Sequence, residues 1–182
     1  SAAPNAAGAV LFVRAAITTG DAAMAQTLLE SARLAGAEPA QLAPLEAALA
    51  VLQNARGEAA LMAVQRRIDA AVANTRRAAA RDVVLMGALG FPLDGAALGF
   101  VLANAPQGGA RADAAAMAAL HAAADRNALG EVALLGAIAA GDGPARLDAD
   151  SVASVVRALR AARLEGDARR LVVEALLAGQ PS

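Results

Sequence analysis

The stretch Ile17–Ala32, ITTGDAAMAQTLLESA, decides the reading of this chain. Gly20 closes one helical pattern and Asp21 opens another. Gly just past a helix end allows the left-handed residue that terminates it. Asp is a favoured N-cap, and its charge complements the helix dipole. Behind Asp21, Ala25, Leu28, Leu29 and Ala32 follow at i, i+3, i+4 and i+7, one face of a helix. Together these residues spell the loop of an αα-hairpin.

The same Gly-acid signature recurs at Gly57-Glu58, Asp94-Gly95, Gly130-Glu131 and Gly166-Asp167. The glycines stand at 20, 57, 95, 130 and 166, so the steps are 37, 38, 35 and 36. A period near 36 residues is the mark of a repeat protein. The sequence therefore predicts an all-α fold, a stack of about five αα-hairpins of α-solenoid type, with a compact helical bundle of the same hairpins as the alternative. The expected division is a disordered tail over 1–6, one helical-repeat domain over 7–179 and a short tail over 180–182.

Composition agrees. Ala is about a third of the 182 residues, far above the usual share. It is the best helix former, because it loses no side-chain entropy on ordering. Phe12, Phe91 and Phe100 are the only aromatics. The 16 basic residues are all Arg, and they nearly balance 17 acids. A net charge of −1 points to no strongly acidic or basic partner. Cys is absent, which excludes disulfides, thiolate catalysis and Cys-ligated metals. No basic-then-apolar leader opens the chain, yet a trimmed leader leaves export open, so the compartment is unknown. The apolar stretch from Val83 to Ala110 is broken at Pro92-Leu93-Asp94-Gly95, too early for a membrane span.

Read along the chain, the helices fall at about Ala7–Thr18 and Asp21–Ala35, then Gln41–Asn54. A helical pattern then runs from Glu58 towards Gly87, and the register favours two helices meeting near Asn74-Thr75. Gly95–Asn104, Ala112–Arg126 and Glu131–Ala140 follow. A last pair starts at Asp148 or Asp150. Pro39 and Pro44 are expected to bracket a helix entry. The middle repeat, the most apolar, is expected to be covered on both sides. The last helix carries Arg169, Arg170 and Glu174 and is expected to be an outer cap.

This pattern resembles the tetratricopeptide repeat in architecture. That family separates two helices by a Gly-Asp-like turn, followed by a small, a large and a small residue. Gly20-Asp21, Ala25, Leu29 and Ala32 match it. Later turns shift the spacing, and the first helix of each hairpin has Ala and Val where the family has large aromatics. The resemblance implies a scaffold that holds a peptide or protein in a concave groove.

Chemistry-bearing residues are few. His121 is the single histidine, so a two-His metal site cannot form within one chain. Asp142–Asp150 lacks the central Gly and closing Glu of a calcium loop and reads as helix capping. Gly87–Gly90 and Gly108-Gly109 lack the Lys and Ser/Thr of a phosphate loop. Gly99 and Gly136 are read as sites of close helix approach. Met24, Met62, Met86 and Met117 are read as flexible core filling.

One charged constellation remains. Were the helix continuous, Arg66, Arg67, Arg77 and Arg81 would share a stripe about 100° wide, suited to an anionic or peptide partner. A solvated face partly paired with Asp69 and Asp82 is the plainer reading. The expected function is a non-catalytic scaffold or adaptor for a protein or peptide, with no cofactor, no metal and nucleic acid disfavoured. The alternatives are a self-associating module, such as a homodimer, or a helical accessory domain of a larger enzyme or of a secretion or envelope assembly.

Overall fold

The computed structural model describes residues 5–178. The expected C-terminal tail and most of the N-terminal one lie outside them. Asn5, assigned to the tail, instead caps the first helix, its Oδ1 accepting from the Gly8 amide at 2.8 Å. Among the described residues the fold is all-α, with ten helices in five hairpins: α1 (Ala6–Thr18) with α2 (Ala22–Leu34), α3 (Pro39–Leu52) with α4 (Gly57–Asp69), α5 (Arg76–Ala88) with α6 (Gly95–Ala103), α7 (Ala114–Asp125) with α8 (Leu129–Ala140), and α9 (Ala149–Ala161) with α10 (Glu165–Ala178).

Each hairpin turns in the same way. A left-handed residue follows helix A, and two amides bond back to the last helical turn. At Gly20 these bonds are Gly20 N–H to the Ile17 carbonyl at 3.0 Å and Asp21 N–H to the Ala16 carbonyl at 2.9 Å. The equivalent left-handed residues are Asn54, Gly90, Asn127 and Arg163, each with the same pair of bonds. Only Gly20 among the five marker glycines therefore terminates a helix A. Gly57, Gly95, Gly130 and Gly166 lie inside the first turn of helix B instead.

Counted from the helices, the equivalent positions of the five hairpins hold Ala25-Leu29-Ala32, Ala60-Val64-Arg67, Ala97-Val101-Asn104, Val132-Gly136-Ala139 and Ala168-Val172-Ala175. Only the first and last are small-large-small; Arg67, Asn104 and the Val132-Gly136 pair depart from the pattern. The turn varies too: from left-handed residue to the first of these positions the separations are 5, 6, 7, 5 and 5.

Several helix details differ from expectation. Pro44 sits inside α3 rather than at its start. Proline costs a helix one amide bond, and burial of Leu42, Leu45, Ala48, Leu49 and Val51 holds α3 together around it. Met24 and Met62 are exposed; Met86 is buried and Met117 partly so. Gly136 packs against Leu159, whereas Gly99 faces open space.

Hairpins one to three pack in sequence, and so do four and five. No contact joins α6 to α7, so the stack breaks there. The second half folds back onto the first: α10 packs on α3, and α9 on α5. The last helix is therefore not an outer cap. The middle hairpin is covered on α5 but not on α6, of which only Ala97 is buried. The loop after α6 crosses to the other linker, where the Ala110 amide bonds the Arg146 carbonyl at 2.7 Å and the Asp148 amide bonds the Ala110 carbonyl at 2.9 Å. A Cβ at Gly109 would collide with the Leu147–Asp148 backbone, so glycine is required there.

One ion pair lies in the core. Arg67 Nε donates to Asp82 Oδ2 at 2.7 Å, and both residues are 2% exposed. Arg67 stands where other hairpins place Ala32, Ala139 and Ala175, so its charge sits in a small-residue position and is met from α5. Burial lifts the Asp82 carboxyl from 3.8 to about 6, against the pull of Arg67 and Arg81. Between those values the native state holds a proton that the unfolded chain releases. This group's contribution to stability is therefore full below 3.8 and falls as pH rises through 6. Asp82→Leu strands the Arg67 charge and is expected to cost about 3–5 kcal/mol in urea unfolding at pH 7. Arg67→Met with Asp82→Leu is expected to return close to wild type and to lack the decline between pH 4 and 6.

Candidate protein-interaction surface

The four arginines of the expected stripe do not form one. The helix is interrupted over residues 70–75, which separates Arg66 and Arg67 on α4 from Arg77 and Arg81 on α5. The interruption is held by the Thr75 hydroxyl, which accepts from the Val72 amide at 3.0 Å and donates to the Val72 carbonyl. Arg67 is consumed by Asp82. Arg81 reaches across the two halves, donating to the Ala175 carbonyl at 2.9 Å and the Pro144 carbonyl at 3.0 Å. Ala175 lies near the end of the described α10, where the helix dipole favours a cation. Arg66 and Arg77 are exposed, and Arg77 donates to Gln107 Oε1 at 2.6 Å.

Arg160 mirrors Arg81. From α9 it donates to the Ala88 carbonyl at the end of α5, at 3.0 Å, and its guanidinium lies against Gly90. Each half thus sends an arginine to a helix C-terminus of the other. Sequence reading missed Arg160 because its partner is 72 residues away.

His121 meets Ser154 across α7 and α9, its Nε2 3.0 Å from the Ser154 Oγ. A Ser-His catalytic pair would need a third group to orient the imidazole. Among the described residues no side chain bonds the other ring nitrogen, so the pair joins two helices. Asp148 caps α9, accepting from the Ser151 amide at 2.7 Å, as the capping reading expected.

A groove of about 780 Å³ runs between α1 and α10. Its floor is Ile17, Leu52, Val173 and Leu177. The α10 wall is one helical face, with Gly166, Arg169, Arg170, Val173, Glu174 and Leu177 at i, i+3, i+4, i+7, i+8 and i+11. Arg14 and Thr18 form the opposite wall. Leu11 continues that stripe one turn earlier and is 65% exposed. Arg14 makes no ion pair among the described residues, Arg170 only a 3.8 Å contact with Asp167, and Arg169 a 3.4 Å bond to Asn54. The groove exists because α10 packs on α3 and approaches α1 less closely. The charged face of α10, read as an outer cap, is its wall.

Comparison of the chain with protein-family models, curated proteins and solved structures finds no match, and the reading of this surface rests on its geometry. No helix among the described residues is long and apolar enough to cross a membrane.

The different tasks of the four arginines are separable. Arg81→Met is expected to lower stability in urea unfolding by about 1–3 kcal/mol, since it leaves two backbone carbonyls without their donor. Arg66→Ser is expected to stay within about 0.5 kcal/mol of wild type.

Proposed function

We propose that this chain is a non-catalytic scaffold that binds a segment of another protein, and that its hairpins are of the tetratricopeptide kind. The single observation that carries the binding reading is the α1/α10 groove, with its apolar floor and three lining arginines that face one lining acid among the described residues. The shared turn, a left-handed residue with two amides bonded back to the last turn of helix A in every hairpin, supports the kinship of the hairpins. The concave-face version of the reading has no support, because α9 and α10 cover α5 and α3. Binding is placed in the seam between the first and last hairpins instead.

A second reading, self-association, is favoured by α6. This helix carries no charge, and Leu98 and Leu102 are exposed, the latter to 83%. In the other hairpins that have a successor, helix B meets the next helix A; α6 does not.

A photo-crosslinking residue tests the first reading when placed at Thr18 or Glu174 in the groove, with His121 on α7 as control. Expressed in the native cell, the groove positions are expected to give a discrete adduct with another protein and the control none. Equal labelling at all three sites, or none in the groove, contradicts it. An adduct between two copies of the chain favours the second reading.

A further inference from the structure

We infer that the α1/α10 groove takes an acidic, amphipathic helical segment. This inference rests on the groove being the binding surface.

The charge argument is local. The chain as a whole is balanced, with 16 basic and 17 acidic residues. The groove is not: Arg14, Arg169 and Arg170 face one acid, Glu174. Among the described residues Arg14 and Arg169 make no ion pair, and Arg170 makes one long one, with Asp167 at 3.8 Å. Other surface arginines vary: Arg33–Glu46 at 2.7 Å and Arg126–Glu131 at 2.8 Å are paired, whereas Arg66 and Arg76 make no ion pair among the described residues. Three positive side chains against one acid leave the groove lining net positive, and an acidic occupant complements it.

The shape argument selects a helix. Both walls are helices whose backbone amides and carbonyls are already paired within them, so an extended strand would find no ladder to join. A helix arrives with its own backbone satisfied and needs only side-chain contacts. The α10 wall spans twelve residues from Gly166 to Leu177, eleven steps of 1.5 Å or about 17 Å, which is three turns of an occupant. Gly166 leaves open space at one end of that wall. An apolar ridge on the occupant would meet Val173 and Leu11, with its acids beside Arg14, Arg169 and Arg170. Glu174 sets a limit at the other end, favouring a basic or neutral residue there.

Three peptides test this. All carry the same three-turn leucine ridge and differ only in the polar face, which is Glu, Gln or Lys. Binding is followed by amide chemical shifts of the isotope-labelled full chain, at 50 mM and 200 mM salt. The Glu peptide is expected to shift residues of α1 and α10, to bind at least tenfold more tightly than the Lys peptide, and to weaken at higher salt. The variant Arg14→Glu, Arg169→Glu, Arg170→Glu is expected to reverse that preference, and its unperturbed shifts elsewhere would show that it is folded. Equal or tighter binding of the Gln or Lys peptide in the groove overturns the acidic partner and leaves the groove reading standing. If no peptide shifts the groove, both fail.

Discussion

Everything in this fold follows from the need to cover α3 on all sides. Most of its residues are apolar, around its whole circumference, and eight of its fourteen are buried. A helix without a polar face cannot sit at the edge of a stack. Its own hairpin partner and its neighbours cover part of it, and α10 covers the rest. That single docking bends the chain back on itself, places α9 against α5, and leaves a seam beside α1. The groove and the folded-back second half are consequences of one buried helix.

An alanine-rich core makes this docking close but short of dispersion contacts, since small side chains contribute few each. The polar groups supply what the small ones do not. Arg81 and Arg160 bind carbonyls at the ends of helices from the opposite half, where desolvated backbone would otherwise be left unpaired. Arg67 fills a position that elsewhere holds alanine, and Asp82 neutralises it. Arginine suits these tasks because its planar fork reaches several acceptors while its stem packs against apolar neighbours.

The turns and the helices were legible in the sequence because they rest on local chemistry. Asp21, Asp94, Asp113 and Asp148 each accept an amide from the first turn of the helix they cap. The break between α4 and α5 was legible from the repeat register alone. The folding back was not, since the pairing of α3 with α10 has no local signature. One clue lay in plain view: a helix from Pro39 to Leu52 with no polar face demands a partner beyond its neighbours. The arginine stripe failed as a group because it assumed one continuous helix, and six residues near Asn74 divide it. The groove could not be read because its walls come from the two ends of the chain. Apolar α6 shows the limit in the other direction, for its composition reads as buried while Leu98 and Leu102 face outward.

The docking of the last hairpin onto the second is the claim on which the rest stands. The absence of Cys allows spin labels at two chosen positions without background. Gln53→Cys and Arg170→Cys flank the Asn54–Arg169 contact between the end of α3 and α10. Electron–electron distance measurement is expected to give one narrow distribution below about 25 Å, the reach of two labels on touching helices spaced 8–10 Å apart. In an open stack the same hairpins would stand three steps apart, and a distribution centred beyond about 30 Å would contradict the account.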